Sequence, residues 1–285
     1  MTAAGATATS PWAPQRRRAE ALRTRHNFAA EVLALYVALL DVWDEAWDAA
    51  NQERLEPPAL AGWAAGRVLP QVVEATAKAG PKSLADATRG LLEAGVTSEP
   101  LAAWLAGDEL APVERYLARA TLRGPLQALD ADAACARDRS PRGGRHCQRC
   151  GGPPQLSYRA HSDDGLVSEH RHLACARCGA SWRYSGSACA SCGETRAAQR
   201  TVYAERSERP VVGRGGPPAP TQPDGPMFPH VRIEGCHSCK RYLIDVDLGR
   251  DARAVPEVEE LAALPLDLHA AELGLSKITP NLMGF

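Results

Sequence analysis

The strongest constraint on this chain is four Cys-x-x-Cys units, all in its second half: Cys147/Cys150, Cys175/Cys178, Cys189/Cys192 and Cys236/Cys239. Two thiolates three residues apart can sit on one tight turn whose backbone N–H groups point at the sulfurs. A glycine just after the second cysteine supplies the positive φ that closes such a turn. Gly151, Gly179 and Gly193 occupy that place in three units, and Lys240 does in the fourth. Two facing turns make a tetrahedral four-sulfur site suited to zinc or to a single iron. Eight paired cysteines therefore predict two mononuclear four-Cys metal sites. A thioredoxin-like redox motif would need one unit at a helix start in a βαβ setting. Disulfides would need an oxidising compartment. Four-iron clusters would need a closely spaced run of three cysteines and a Cys-Pro. Spatial adjacency of consecutive elements favours sequential pairing, 147/150 with 175/178 and 189/192 with 236/239. The alternative joins 175/178 to 189/192 and leaves the outer units to each other. The ninth cysteine, Cys135, has no sequence partner and reads as a small buried hydrophobe.

The first half is rich in Ala and Leu and reads as a helical bundle. Phe28, Val32, Leu35, Leu39 and Val42 form one apolar stripe, and Tyr36, Leu40, Trp43 and Trp47 form a second beside it. Steps of three and four place each stripe on one helix face, a pattern of core packing. Pro57-Pro58 ends or interrupts that helix. Ser83 with Asp86 reads as a capping box. Ser98 and Pro100 open a further helix that Gly107 closes, and a last one covers Pro112 to Leu129. His26, the lone histidine of this half, reads as solvated or at the core edge.

Residues 134–145 are charged and contain Ser140-Pro141, the marks of a linker; its arginines are interleaved with acids and read as solvated. Leu166 to Leu173, Ser181 to Ser185 and Val231 to Glu234 are β-compatible, and Tyr242, Ile244, Val246 and Leu248 alternate. His146, His161, His170, His172, His230 and His237 lie near the cysteine units, but four complete pairs need no imidazole. His269-x-x-Glu272 is a single copy of a pair that bundle metal sites use in duplicate. Residues 208–229 form a Pro/Gly-rich insertion that cannot hold a ladder. Pro256 opens a C-terminal helix lined by Val258, Leu261, Leu264, Leu268 and Leu273, with a bend at Pro265, and the apolar end of the chain reads as docked. The second half has few large apolar residues, so metal binding is expected to supply much of its folding free energy.

Net charge is −1, which argues against a protein that coats nucleic acid. The longest uncharged apolar run, Val32 to Leu40, is far too short for a membrane span, which takes about 20 residues. Arg16-Arg17-Arg18 is followed by no apolar stretch of an export signal, so the expected location is cytoplasmic. No phosphate loop, nucleophile elbow or His-Glu zinc helix is evident.

The chain resembles the FdhE family of formate dehydrogenase accessory proteins. The resemblance rests on Phe28-Ala-Ala-Glu-Val-Leu, on Ala118-Arg119-Ala120-Thr121-Leu122-Arg123-Gly124-Pro125-Leu126, and on the number and order of the four cysteine units, with Trp182 after the second. Its most specific part is the tail, Glu234-Gly235-Cys236-His237-Ser238-Cys239-Lys240-Arg241-Tyr242-Leu243, Ala254-Val255-Pro256 and Leu261-Ala262-Ala263-Leu264-Pro265-Leu266-Asp267. The resemblance implies a helical domain over 1–133, a linker over 134–145 and two rubredoxin-like modules over 146–187 and 188–285. The second module carries the insertion and the C-terminal helix. It implies iron at both sites, held by the eight paired cysteines. It also implies a non-enzymatic cytoplasmic maturation factor whose partner is the catalytic subunit of a respiratory formate dehydrogenase. Electron transfer to, or redox sensing of, that client is the alternative role. The length of the insertion and Lys240 depart from the family pattern, and neither removes a cysteine.

Overall fold

The computed structural model describes residues 10–95, 97–129, 144–161, 169–205 and 225–284. Most of the expected linker, including Cys135, and most of the Pro/Gly-rich insertion lie outside the described residues. Among the described residues seven helices come first: α1 Ala13–Arg25, α2 Ala30–Gln52, α3 Leu60–Arg67, α4 Leu69–Ala79, α5 Lys82–Glu93, α6 Glu99–Ala106 and α7 Pro112–Ala128. The two stripes of α2 are the centre of this layer, with Leu35, Tyr36, Leu39, Leu40, Val42 and Trp43 buried. Phe28 does not join them. It sits in a 3-10 turn over Asn27–Ala29, 44% exposed, with its ring edge-on to Phe228. His26 is buried against the same two rings. Helix α2 stops at Gln52, where Arg54 turns to φ 50, ahead of Pro57-Pro58.

The expected capping box at Ser83 does not form. Helix α5 starts at Lys82 behind Pro81, which places Ser83 inside the first turn, and Asp86 pairs with Lys82 at 2.6 Å instead. Helix α6 does run from behind Ser98 to Gly107, whose φ of 92 only glycine adopts without cost. Helix α7 lies very close to α2. A Cβ on Gly124 would fall 2.8 Å from the Trp43 carbonyl oxygen, and the Trp43 indole donates to the Ala120 carbonyl at 2.7 Å.

The described residues of the second half supply seven strands: β1 Pro154–His161, β2 Glu169–Cys175, β3 Ser181–Arg183, β4 Arg200–Tyr203, β5 Val231–Cys236, β6 Arg241–Asp247 and β7 Ser276–Lys277. They form one sheet, ordered β3-β2-β1-β6-β5-β4, with β7 on β6. The β1–β6 pairing is parallel, Ser157 opposite Asp245, and it fuses the two expected modules into one sheet. Strand β1 was not legible from its sequence, because both its faces are buried near Gln155, Leu156 and Ser157 and no clean alternation survives.

Strand β6 departs from the half-buried alternation expected of it, and Leu243 and Asp245 are buried as well. Its Tyr242, Ile244 and Val246 face join a core shared with the helices. On the opposite face Leu243 packs among the first group of cysteines. Asp245 there accepts hydrogen bonds from Ser157, Arg159 and Arg232. The C-terminal helix is two, α8 Pro256–Ala262 and α9 Leu264–Glu272, with Pro265 in the first turn of α9. The restart rotates the apolar face, so Leu268 and Leu273 are exposed rather than inward. The tail docks: Ile278 donates to the Tyr242 carbonyl, and Asn281 and Leu282 are buried.

Candidate metal centres

Each cysteine unit folds as a closed turn. The glycine N–H reaches back to the first cysteine carbonyl, from Gly151 to Cys147 at 2.8 Å, Gly179 to Cys175 at 3.1 Å and Gly193 to Cys189 at 2.9 Å. The three glycines have φ of 69, 71 and 81. Lys240 takes φ 56 at the equivalent place, so the fourth turn keeps the geometry with a side chain that resists it. Backbone N–H groups of Arg177 and Ser191 donate to the Cys175 and Cys189 sulfurs at 3.3 and 3.4 Å.

The turns pair sequentially. Cys147, Cys150, Cys175 and Cys178 form one group, and Cys189, Cys192, Cys236 and Cys239 a second, with all sulfurs of a group within 4.8 Å of one another. The Cys147–Cys178 and Cys150–Cys175 sulfurs are 3.7 and 3.4 Å apart, and Cys189–Cys239 and Cys192–Cys236 are each 3.8 Å apart. A tetrahedral ion with metal–sulfur bonds of about 2.3 Å spaces its ligands about 3.8 Å apart. The donor set fits zinc or a single iron, and each group can hold one ion. Among the described residues these are the groups with metal-ligand geometry. The histidines stay outside them: His230 bonds Glu259, His237 bonds Thr201, His172 stacks on Tyr158, and His269 pairs loosely with Glu272.

Electrostatics also favour a cation. Burial pushes the Cys175 thiol well up and the Cys239 thiol up to about 12, while hydrogen bonds from Cys147, Cys150 and Cys175 hold the Cys178 thiol far below its ordinary range. Four thiolates this close repel one another, so ionising a whole set requires positive charge between them.

The groups differ in setting. All four cysteines of the first are buried, whereas in the second Cys192 is exposed and Cys239 half-buried. The first is packed by Leu173, Trp182, Ala190 and Leu243. A Cβ on Gly152 would lie 2.8 Å from the Cys175 sulfur, so the backbone itself closes that side. Ala190 belongs to the third turn, and Arg145, just before the first turn, donates to the Ser191 carbonyl at 2.7 Å. The two groups are thus braced against each other.

Sequence reasoning missed the charged groups around these centres. Glu234, beside the fourth turn on β5, takes ion pairs from Arg159 on β1, Arg171 on β2 and Arg200 on β4. On α7, the Arg123 guanidinium lies against Gly179, and Arg119 lines the cavity beside the first group. Arg119 and Arg123, four residues apart among the mostly buried residues Tyr116 to Leu126, were the available signal.

Residues 222–283 match the family model described as FdhE, C-terminal domain. The chain is 29% identical over 140 residues to a "Protein FdhE homolog" of Aquifex aeolicus, which is 49% of this chain and 42% of that protein. It is 30% identical over 139 residues to the homologue of the same name in Pseudomonas aeruginosa, 48% of this chain and 38% of that protein. The matched part thus spans about two fifths of the length of these curated relatives. A solved structure, "The crystal structure of the FdhE protein from Pseudomonas aeruginosa", shares the fold with a TM-score of 0.64 at 20% identity, over 96% of this chain and 97% of that one.

Proposed function

We propose that this chain, for which the C-terminal family match, the curated relatives and the shared fold support the FdhE family, is an accessory factor in the maturation of a respiratory formate dehydrogenase. The observation that carries the reading is the family match over 222–283, which contains the fourth cysteine turn, Cys236 and Cys239, together with its completion by Cys189 and Cys192. In this proposal Cys147, Cys150, Cys175 and Cys178 ligate one ion and Cys189, Cys192, Cys236 and Cys239 another, with iron favoured over zinc.

The metal centres clamp turns that the sparse apolar core of the sheet cannot hold alone. They do so within two modules, 146–187 and 188–285, which a linker, 134–145, joins to a helical part, 1–133. The partner is the catalytic subunit of the dehydrogenase, met in the cytoplasm. The chain itself performs no catalysis and takes no nucleic acid. Among the described residues no helix is long and apolar enough to cross a membrane. Tagged chain co-expressed with the dehydrogenase subunits should retain the catalytic subunit on affinity purification. Recovery of the chain without that subunit would contradict the reading.

Electron exchange with the client is the second reading, favoured by the exposure of Cys192 in the second group. A single iron in four thiolates cycles between ferric and ferrous states. Protein purified without oxygen should then show a thiolate–iron visible spectrum that bleaches on reduction, and a colourless, zinc-only protein would exclude it.

A further inference from the structure

Between α7, the first cysteine group and α8 lies a cavity of about 340 Å³. Arg119, Arg123 and Arg177 line it, and the Arg177 guanidinium turns away from it toward Trp104 and Gly107. Glu257 is the lone carboxylate among the described residues that line it, and it is engaged by Arg123 at 2.8 Å. The other two arginines make their hydrogen bonds to neutral partners, with the Glu260 carboxylate acting on Arg119 from farther off. Arg119 donates to the Pro280 carbonyl and to Gln155 Oε1, both at 2.6 Å, and Arg177 donates to the Cys150 carbonyl at 3.0 Å. Both stack on the Trp104 ring, 5.8 and 5.6 Å from its centre.

Arg119 is 9% and Arg177 7% exposed, and the Nε atoms of Arg123 and Arg177 are buried with no hydrogen-bond partner. Burial pulls the Arg119 pKa down to about 10, the mark of a charge removed from water without full compensation. A buried cation with neutral partners is costly, and an anion beside it repays the cost. Trp43, Leu156, Tyr158 and Leu282 give the remaining wall an apolar character. Concave, largely apolar, with a few convergent charges, this is the usual form of a small-molecule site.

We infer that this cavity binds an organic oxyanion, a carboxylate or phosphate headgroup on a compact apolar body, with Arg119 and Arg123 holding the headgroup. Planar guanidinium forks pair bidentately with either headgroup. Glu257 is the built-in competitor for Arg123 and sets the affinity. The site stands apart from the accessory role: it rests on the cavity and its charges, and the chain can bind such an anion whether or not it serves a dehydrogenase.

The test uses the full, metal-loaded chain with phenyl phosphate and phenylacetate as probes and phenol as the neutral control, by calorimetry and thermal shift at constant ionic strength. At least one anion should bind and raise Tm while phenol does not, and the two arms tell phosphate from carboxylate. Arg119→Gln should weaken binding about tenfold or more, Arg119→Lys less, and Glu257→Gln should tighten it about threefold or more, since losing a charge-assisted hydrogen bond costs a factor of this order. Metal content is measured on every variant. If the arginines serve instead to offset the thiolate charge of the first group, Arg119→Gln loses metal and the anions never bind. That result overturns the inference, as do phenol matching the anions and anion affinity indifferent to both Arg119→Gln and Glu257→Gln.

Discussion

Lys240 and Gly179 stand at equivalent places in two cysteine turns, and both hold the left-handed backbone, at φ 56 and 71. A side chain there costs roughly 1–2 kcal/mol, so the fourth turn carries a strain that the other three avoid. Replacing Lys240 with glycine relieves that strain but frees the unfolded chain, and urea unfolding of Lys240→Gly should show a gain of no more than about 1 kcal/mol. Gly179→Ala should lose about 1–3 kcal/mol, because the new Cβ also meets the Arg123 guanidinium, which Glu257 holds in place. Equal stability of Gly179→Ala and parent would show that the turn does not need its glycine. The cysteines and these glycines were readable from the sequence because a Cys-x-x-Cys-Gly turn is a local geometry, complete within five residues. Arg119 and Arg123 were not, because what gives them meaning, Gly179, Gln155 and Glu257, comes from distant parts of the chain.

At the scale of elements, the contact between α2 and α7 decides how the helical layer meets the sheet. Gly124 allows the α7 backbone to rest on Trp43, and a methyl group there would lie 2.8 and 2.9 Å from Trp43 backbone atoms that cannot rotate away. Gly124→Ala should therefore destabilise by about 2–4 kcal/mol, despite the better helix propensity of alanine. Chemical denaturation checks this, and a gain in stability would mean the helices separate freely. The periodic helix α2 was legible because its stripes follow a single period. Strand β1 was not read, since burial on both faces erases the alternation by which a strand is recognised, whereas β6 was placed correctly from its alternating Tyr242, Ile244 and Val246 and only its second buried face was missed. Helices α8 and α9 were read as one, because the apolar spacing carries through Leu264 while the backbone breaks at Ala263.

At the scale of the molecule, one hydrophobic core runs from Trp12, Tyr36 and Trp43 through Val231 and Ile244 to Val258 and Leu261, so helices and sheet do not pack as separate bodies. Buried ion pairs cross the same boundary, with Arg18 of α1 bound to Glu259 of α8 and to Asp251. His230 reaches the same Glu259 at 2.9 Å. The compositional break near residue 134 is real in the sequence, yet it does not mark a gap in packing, because composition reports what each segment is made of and not which face it buries against. Of the two cysteine groups beside this shared core, one is enclosed and one partly open.

The claim that these groups are two separate metal centres is tested most directly by the metal content of the full chain, purified without oxygen, beside Cys175→Ser and Cys239→Ser. The account predicts two ions per chain in the parent and about one in each variant, with the remaining ion released to a chelator faster from Cys175→Ser, which keeps the exposed group. A parent that holds fewer than two ions, or variants that keep both, would contradict it.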